Sequence, residues 1–269
     1  MGVLTLPQAE DLEHVLTQWA SVHSELLTIA HPQIGSICDI SPSGDPVLGR
    51  LSYAASQALP EHGPFSTSAD FFLAHAEGTL RLAAQGLYNQ DSSGFIDLGV
   101  KILTDIVRFT VLFADGGVEP LFLLNHADLK PCNILVDEDL NFLAVIDWQF
   151  AQTAPWAFYF YPDPFPFLWT DQEIHNLLRA PDHHPADATT QQRSAARLLF
   201  TKKLRETGPL GGRLAETLES EASKIFGCYM RLGDEPAKDE ECLRAMVRLG
   251  FGLDEAGVDG YLAAAIGGP

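Results

Sequence analysis

Three short apolar runs in the middle of the chain restrict its fold more than any other feature. They are Leu121-Phe122-Leu123-Leu124, Ile134-Leu135-Val136 and Phe142-Leu143-Ala144-Val145-Ile146. Each is too short for a helix and rich in β-formers, so each predicts a strand. The acidic turn Asp137-Glu138-Asp139 joins the second run to the third and predicts a hairpin. Both sides of this segment carry three- and four-residue apolar spacing. The chain is thus expected to be mainly α with a small β insert, an α+β fold, in a single domain spanning residues 1–269.

The first helix is predicted over 8–27, with Leu12, Val15, Leu16, Trp19, Val22, His23, Leu26 and Leu27 on one face and Thr5 or Pro7 at its start. His31-Pro32 stops it. Residues 34–65 are turn-rich and predict a short hairpin or irregular excursion. Ser68 precedes a second helix over 69–88, with Phe72, Ala76, Leu80, Ala83 and Leu87 as its stripe. A third, over 96–114, is apolar on more than one face and reads as the central buried helix, ended by Asp115-Gly116-Gly117. After Trp148 comes an aromatic, Pro-rich stretch to Trp169, expected to be an ordered loop on the core. Further helices are predicted over 171–179, 190–206, 212–231, 238–250 and 258–266.

The chain has 17 Lys and Arg against 36 Asp and Glu, a net charge of −19. Such a surface is repelled by nucleic acid and by anionic membranes, so neither is an expected partner. Ile96 to Phe113, the most apolar stretch, contains Asp97, Lys101, Asp105 and Arg108, which argues against a membrane span. Cys38, Cys132, Cys228 and Cys242 form no CxxC pair and fit a reducing compartment. The N-terminus has no secretory signal, and Leu6 stands where a myristoylation motif needs Ser or Thr. A cytoplasmic protein is expected.

The loop between the first two strands carries chemistry. It reads His126-Ala127-Asp128-Leu129-Lys130-Pro131-Cys132-Asn133, and Val145-Ile146-Asp147-Trp148 follows downstream. Phosphoryl transfer depends on positioning and charge neutralisation more than on covalent help. One carboxylate orients or deprotonates the accepting hydroxyl. A second carboxylate and an amide oxygen suit hard Mg²⁺. A loop with Asp128 and Asn133 five residues apart, and a hairpin strand ending in Asp147, would aim all three into one cleft. The alternative is that Asp128 and Asn133 only cap a turn and Asp147 only ends a strand.

These residues resemble the catalytic loop and metal-binding aspartate of the protein-kinase-like superfamily. Protein kinases would carry Phe-Gly after the metal aspartate and Ala-Pro-Glu further on. Here Trp148-Gln149-Phe150-Ala151 follows Asp147 and no Ala-Pro-Glu occurs. The wording is closer to the fungal-type aminoglycoside phosphotransferase-like branch of small-molecule kinases. Its segment before the catalytic loop also resembles Leu26 to Leu51. The resemblance implies Asp128 as the catalytic base, Asn133 and Asp147 as Mg²⁺ ligands, His126 as structural support of the loop 126–133, and Lys130 as a phosphate contact. It implies ATP and Mg²⁺ as cofactors and a small-molecule hydroxyl, cationic in the amino-sugar or choline-like case, as acceptor.

Other parts of a kinase are missing from the sequence. No GxGxxG loop occurs, and residues 1–100 contain no lysine, with Arg50 and Arg81 as their only arginines. The resemblance therefore covers a protein-kinase-like C-terminal lobe with the N-terminal lobe absent, and ATP binding and turnover by this chain are expected to be very weak. Such a lobe is either a truncated product of a longer enzyme or a stand-alone, pseudokinase-like binding or regulatory module. A partner covering its exposed upper face is expected, because that apolar docking surface would otherwise promote association. The remaining features read as bland. His183-His184 suits a solvated loop, Cys132 a small filler, and the aromatics Trp156, Phe158, Tyr159, Phe160, Tyr161, Phe165, Phe167 and Trp169 core packing.

Overall fold

The computed structural model of the chain describes residues 2–3, 11–51, 63–87, 93–115, 121–159, 186–233 and 236–266, and side chains within these except at 2–3, 186–192 and 236–237. In chain order the elements are β1 (Gly2–Val3), α1 (Leu12–Leu26), β2 (Ala30–His31), β3 (Ser36–Ile40), β4 (Pro46–Gly49), α2 (Ser68–Ala84) and α3 (Ser93–Phe109). Then come β5 (Phe122–Asn125), β6 (Ile134–Val136), β7 (Phe142–Val145) and β8 (Gln152–Ala154). The helices α4 (Ala186–Glu206), α5 (Pro209–Leu218), α6 (Glu221–Tyr229), α7 (Pro236–Phe251) and α8 (Glu255–Ile266) complete the order. Helix dominates and the strands are short, so the fold is mixed α+β. The chain divides into two compact units, the first made of residues 1–30, 123–151 and 159–218, the second of residues 31–122, 152–158 and 219–269.

In the first unit α1 packs against α4 and α5. It buries Val15, Leu16, Trp19, Ala20, His23 and Leu26, close to the predicted stripe, while Leu12 and Val22 are half-buried. Burying such side chains is worth roughly 1.5–3 kcal/mol each, which holds the helix although Asp11 at its N-cap makes no side-chain bond. Thr5 and Pro7 lie outside the described residues. Trp19 meets the Phe142 ring edge-on, and His23 meets Phe200 in the same way. β1, β6 and β7 form one antiparallel sheet in that order. Ile134 faces Val145 and Leu135 faces Ala144, so the predicted hairpin is present, with an irregularity before Val136 pairs with Phe142. Gln18 ties its turn to α1, donating to Leu140 O at 3.0 Å and accepting from Phe142 N at 2.7 Å.

In the second unit α3 packs against α2, α6, α7 and α8, the central position expected of it. Its buried face is Ile96, Gly99, Val100, Ile102, Leu103, Ile106 and Val107. It ends at Phe109, short of the predicted end at 114; Phe109 and Val111 are exposed. Thr67, not Ser68, caps α2, its hydroxyl accepting from Asp70 N at 3.1 Å. The α2 stripe also differs: Phe71, Phe72, His75 and Ala76 are buried, but Leu80 and Leu87 are exposed. Phe71, Phe72, Phe113, Phe158 and Phe226 form an edge-to-face aromatic core. The predicted hairpin within 34–65 is β3–β4, and β8 adds to β3 through Ser36 opposite Gln152. The helix expected over 212–231 is two helices, α5 and α6, because Ser220 starts a new one by accepting from Ser223 N. The helix expected over 171–179, the aromatics from Phe160 to Trp169 and His183-His184 lie outside the described residues.

Candidate functional site

The first unit contains the whole of the loop 126–133 and the strand end at Asp147. β5 delivers the chain to the loop, with Leu124 N donating to Ile29 O at 2.9 Å. The chain then turns at Ala127, whose φ of 60° lies in the left-handed region. For an L-residue that conformation costs about 1–2 kcal/mol and needs support. Asn125 supplies it, its Oδ1 accepting from Ala127 N at 2.6 Å. Tyr159 braces the same spot: its hydroxyl donates to Leu124 O at 3.2 Å and interacts with the Asn125 side chain. Asn125 and Tyr159 were not singled out by the sequence as site residues. A lone polar residue closing an apolar run was the one available signal.

Beyond the turn, a single 3₁₀ turn, Pro131–Asn133, brings Asn133 back onto Asp128. Asn133 is buried, and its Nδ2 donates to Asp128 O at 2.8 Å and to Asp128 Oδ2 at 3.1 Å. With Nδ2 so engaged, Oδ1 faces the other way. Its contact there is the weak Cys132 thiol donor at 3.7 Å. Lys130 Nζ lies 2.9 Å from Asp128 Oδ2, and this pairing raises the lysine's affinity for its proton. Lys130 thus neutralises one oxygen of Asp128. Both side chains are partly exposed, so the pair adds little stability.

His126 is buried beneath the loop, and its ring lies 4.6 Å from that of the half-exposed Trp148. Burial lowers its pKa; the Ile146 carbonyl and the charges of Asp128 and Asp147 oppose that without overcoming it. The ring is therefore neutral near pH 7, and Nε2–H donates to Ile146 O at 2.9 Å. Nδ1 is buried and has no hydrogen-bond partner among the described residues. The neighbouring His23 of α1 is also held neutral, its pKa pushed down to about 3 by burial and then by His126.

Ile146 is fixed on both sides, since its N–H donates to Asn133 O at 2.9 Å while its carbonyl accepts from His126. The next residue, Asp147, takes φ 66° and ψ 52°, a left-handed conformation that Asp and Asn tolerate. Trp148 Nε1 closes the turn on Val145 O at 2.8 Å. Asp147 is exposed, and its charge is felt by both His126 and Lys130, as is that of Asp128. The five residues singled out by the sequence, His126, Asp128, Lys130, Asn133 and Asp147, thus share one neighbourhood.

The donor set suits a small hard cation. Asp147 offers an exposed carboxylate, Asn133 an amide oxygen turned away from Asp128, and Asp128 a second carboxylate. Among the described residues no three His, Cys, Asp or Glu side chains gather into a closed metal cage. A sparse oxygen set is what Mg²⁺ prefers, because it keeps several waters and takes phosphate oxygens. No helix among the described residues is long and apolar enough to cross a membrane. Comparison with family models, with curated proteins and with solved structures returned no match.

Proposed function

We propose that residues 126–148 are the phosphoryl-transfer site of a small-molecule kinase of the aminoglycoside phosphotransferase-like type, in a protein working in the cytoplasm. The observation that supports this best is the double hold on Asp128 by Asn133 and Lys130, with the charge of Asp147 reaching Lys130. Asp128 Oδ2 is occupied by both partners, which leaves Oδ1 to accept the proton of a substrate hydroxyl. Lys130 pairs with that carboxylate and supplies positive charge where a transferred phosphoryl group would pass. Asn133 Oδ1 and Asp147 would hold Mg²⁺, which supplies charge neutralisation at the ATP phosphates. His126 does no chemistry; it fixes the backbone before Asp147 from below. The net charge of −19 favours a cationic acceptor such as an amino sugar or choline-like alcohol.

A second reading keeps the site but not the turnover. No Gly-rich loop occurs in the sequence and no lysine in residues 1–100, so these residues offer little hold on a triphosphate. A pseudokinase-like module that binds a cation and a partner would retain Asp147 and Asn133 without transferring phosphate. Two measurements separate the readings. Mn²⁺, as a stand-in for Mg²⁺, is titrated by electron paramagnetic resonance into wild type, Asp147→Asn and Cys132→Ser. The site requires at least tenfold weaker binding in Asp147→Asn and no change in Cys132→Ser; equal affinity in all three sinks both readings. Phosphoryl transfer from ATP to amino-sugar and choline-like alcohols is then followed by mass spectrometry. A product lost on Asp128→Asn supports the kinase, and Mn²⁺ binding without product supports the module.

A further inference from the structure

In the second unit the last turn of α6 packs against the first turns of α7, and this brings together two cysteines fourteen residues apart in sequence. Cys228 is buried in α6, while Cys242 on α7 is half-buried. The Cys242 thiol interacts with Cys228 across the helix pair. Arg231, in the turn after α6, donates from Nη2 to Cys228 Sγ at 3.6 Å. The turn itself is pinned by Asp239, buried in the first part of α7, whose Oδ1 accepts from Gly233 N at 2.9 Å.

We propose that Cys228 and Cys242 are a redox modification site, two thiols that a peroxide converts to an α6–α7 disulfide. A disulfide requires two sulfurs already close together, and the packing of α6 on α7 brings the Cys242 thiol next to Cys228. A guanidinium against a sulfur favours the thiolate, the nucleophilic form, so Cys228 is the attacking sulfur. Its sulfur takes one oxygen from hydrogen peroxide. The O–O bond breaks, and the departing hydroxide leaves with the Cys228 proton as water. The Cys242 sulfur then attacks the Cys228 sulfenic acid and displaces its hydroxyl group, which takes the Cys242 proton and leaves as a second water. Two sulfurs lose two electrons in all, and one peroxide is reduced to two waters. The Cys228 sulfur beside it and partial burial make Cys242 hold its proton strongly, so the second step is the slow one. This pair is independent of the site at Asp128.

The test uses the whole chain, reduced and then treated with hydrogen peroxide. Remaining thiols are alkylated, and the protein is digested without reductant. The expected result is a monomer about 2 Da lighter, as a disulfide requires, and a linked peptide pair containing Cys228 and Cys242. In Cys242→Ser the linked pair disappears and Cys228 proceeds to sulfinic acid, because nothing resolves the sulfenic acid. The inference is overturned if Cys228 and Cys242 are both recovered alkylated while the exposed Cys38 and Cys132 have been oxidised. It is equally overturned if Cys228 pairs with either of those instead.

Discussion

The bond between Asn133 Nδ2 and Asp128 Oδ2 can be isolated by a double-mutant cycle. Asn133→Ala removes two hydrogen bonds, one of 2.8 Å to a carbonyl and one of 3.1 Å to a carboxylate. A neutral bond contributes about 1 kcal/mol net and one to a charged group about 1.5–3 kcal/mol. The Asp128 side chain is 26% exposed, so water replaces part of what the carboxylate loses. The single substitution should cost about 2 kcal/mol. Asp128→Ala loses the same charge-assisted bond and the Lys130 pair, which as an exposed pair contributes about 0–1 kcal/mol. Asp128→Ala leaves the backbone carbonyl bond in place. The double variant should therefore be about 1 kcal/mol more stable than the sum of the singles predicts. The assay is urea unfolding of all four proteins followed by tryptophan fluorescence. Single-variant effects that add to within about 0.3 kcal/mol would show that Asn133 does not hold the Asp128 carboxylate, and the proposed division of Asp128 into an occupied and a free oxygen would fall.

Two further outcomes follow from buried features. His23 and His75 have pKa values lowered by burial to about 3 and about 4, so both rings are neutral in the folded chain. The unfolded chain binds their protons first, so their stabilisation is complete above pH 6.5 and declines as pH falls from 6.5 toward 4 and 3. Each ring should cost about 2 kcal/mol between pH 7 and pH 5; His75→Gln should flatten the pH dependence of the urea midpoint, and an unchanged slope would contradict the assignment. At Gly99, an added Cβ would overlap Leu232 Cδ1 and lie 3.2 Å from Leu243 Cδ2, whereas at Gly94 it would meet nothing. Gly99→Ala should cost about 1–3 kcal/mol despite the better helix propensity of Ala, and Gly94→Ala should cost nothing, as read by thermal unfolding.

The hairpin β6–β7 and the loop before it were legible because short apolar runs, an acidic turn and polar residues at fixed offsets are local signals. β8 was not. Gln152-Thr153-Ala154 has no alternation, and it is a strand because Ser36, more than a hundred residues earlier, pairs with it. The break between α5 and α6 had a local signal in Ser220, but the apolar spacing continues across it and hid the cap. The over-long α2 and α3 have a shared cause: Leu87 and Val111 fit the helical period, yet the helices end before them. In the site, Asp128, Lys130 and Asn133 lie in one loop, so spacing alone could bring them together. Asn125 and Tyr159 act across a strand end and a distant loop, which no spacing records. Cys228 and Cys242 meet only because α6 and α7 pack as a hairpin.

The clamp on Ile146 has a thermodynamic consequence for the cation proposed to bind at Asp147. A flexible acidic side chain on a loose loop gives up backbone freedom when it is recruited as a ligand, at about 1–2 kcal/mol per residue fixed. At Asp147 that loss is already taken during folding, through Asn133 on one side of Ile146, His126 on the other and the Trp148 indole beyond. Only side-chain torsions remain to be frozen. Ligand affinity at this position should accordingly change little with temperature through backbone entropy. Loosening the clamp with His126→Ala should weaken binding as an entropic loss, visible by calorimetry, although His126 touches no ligand.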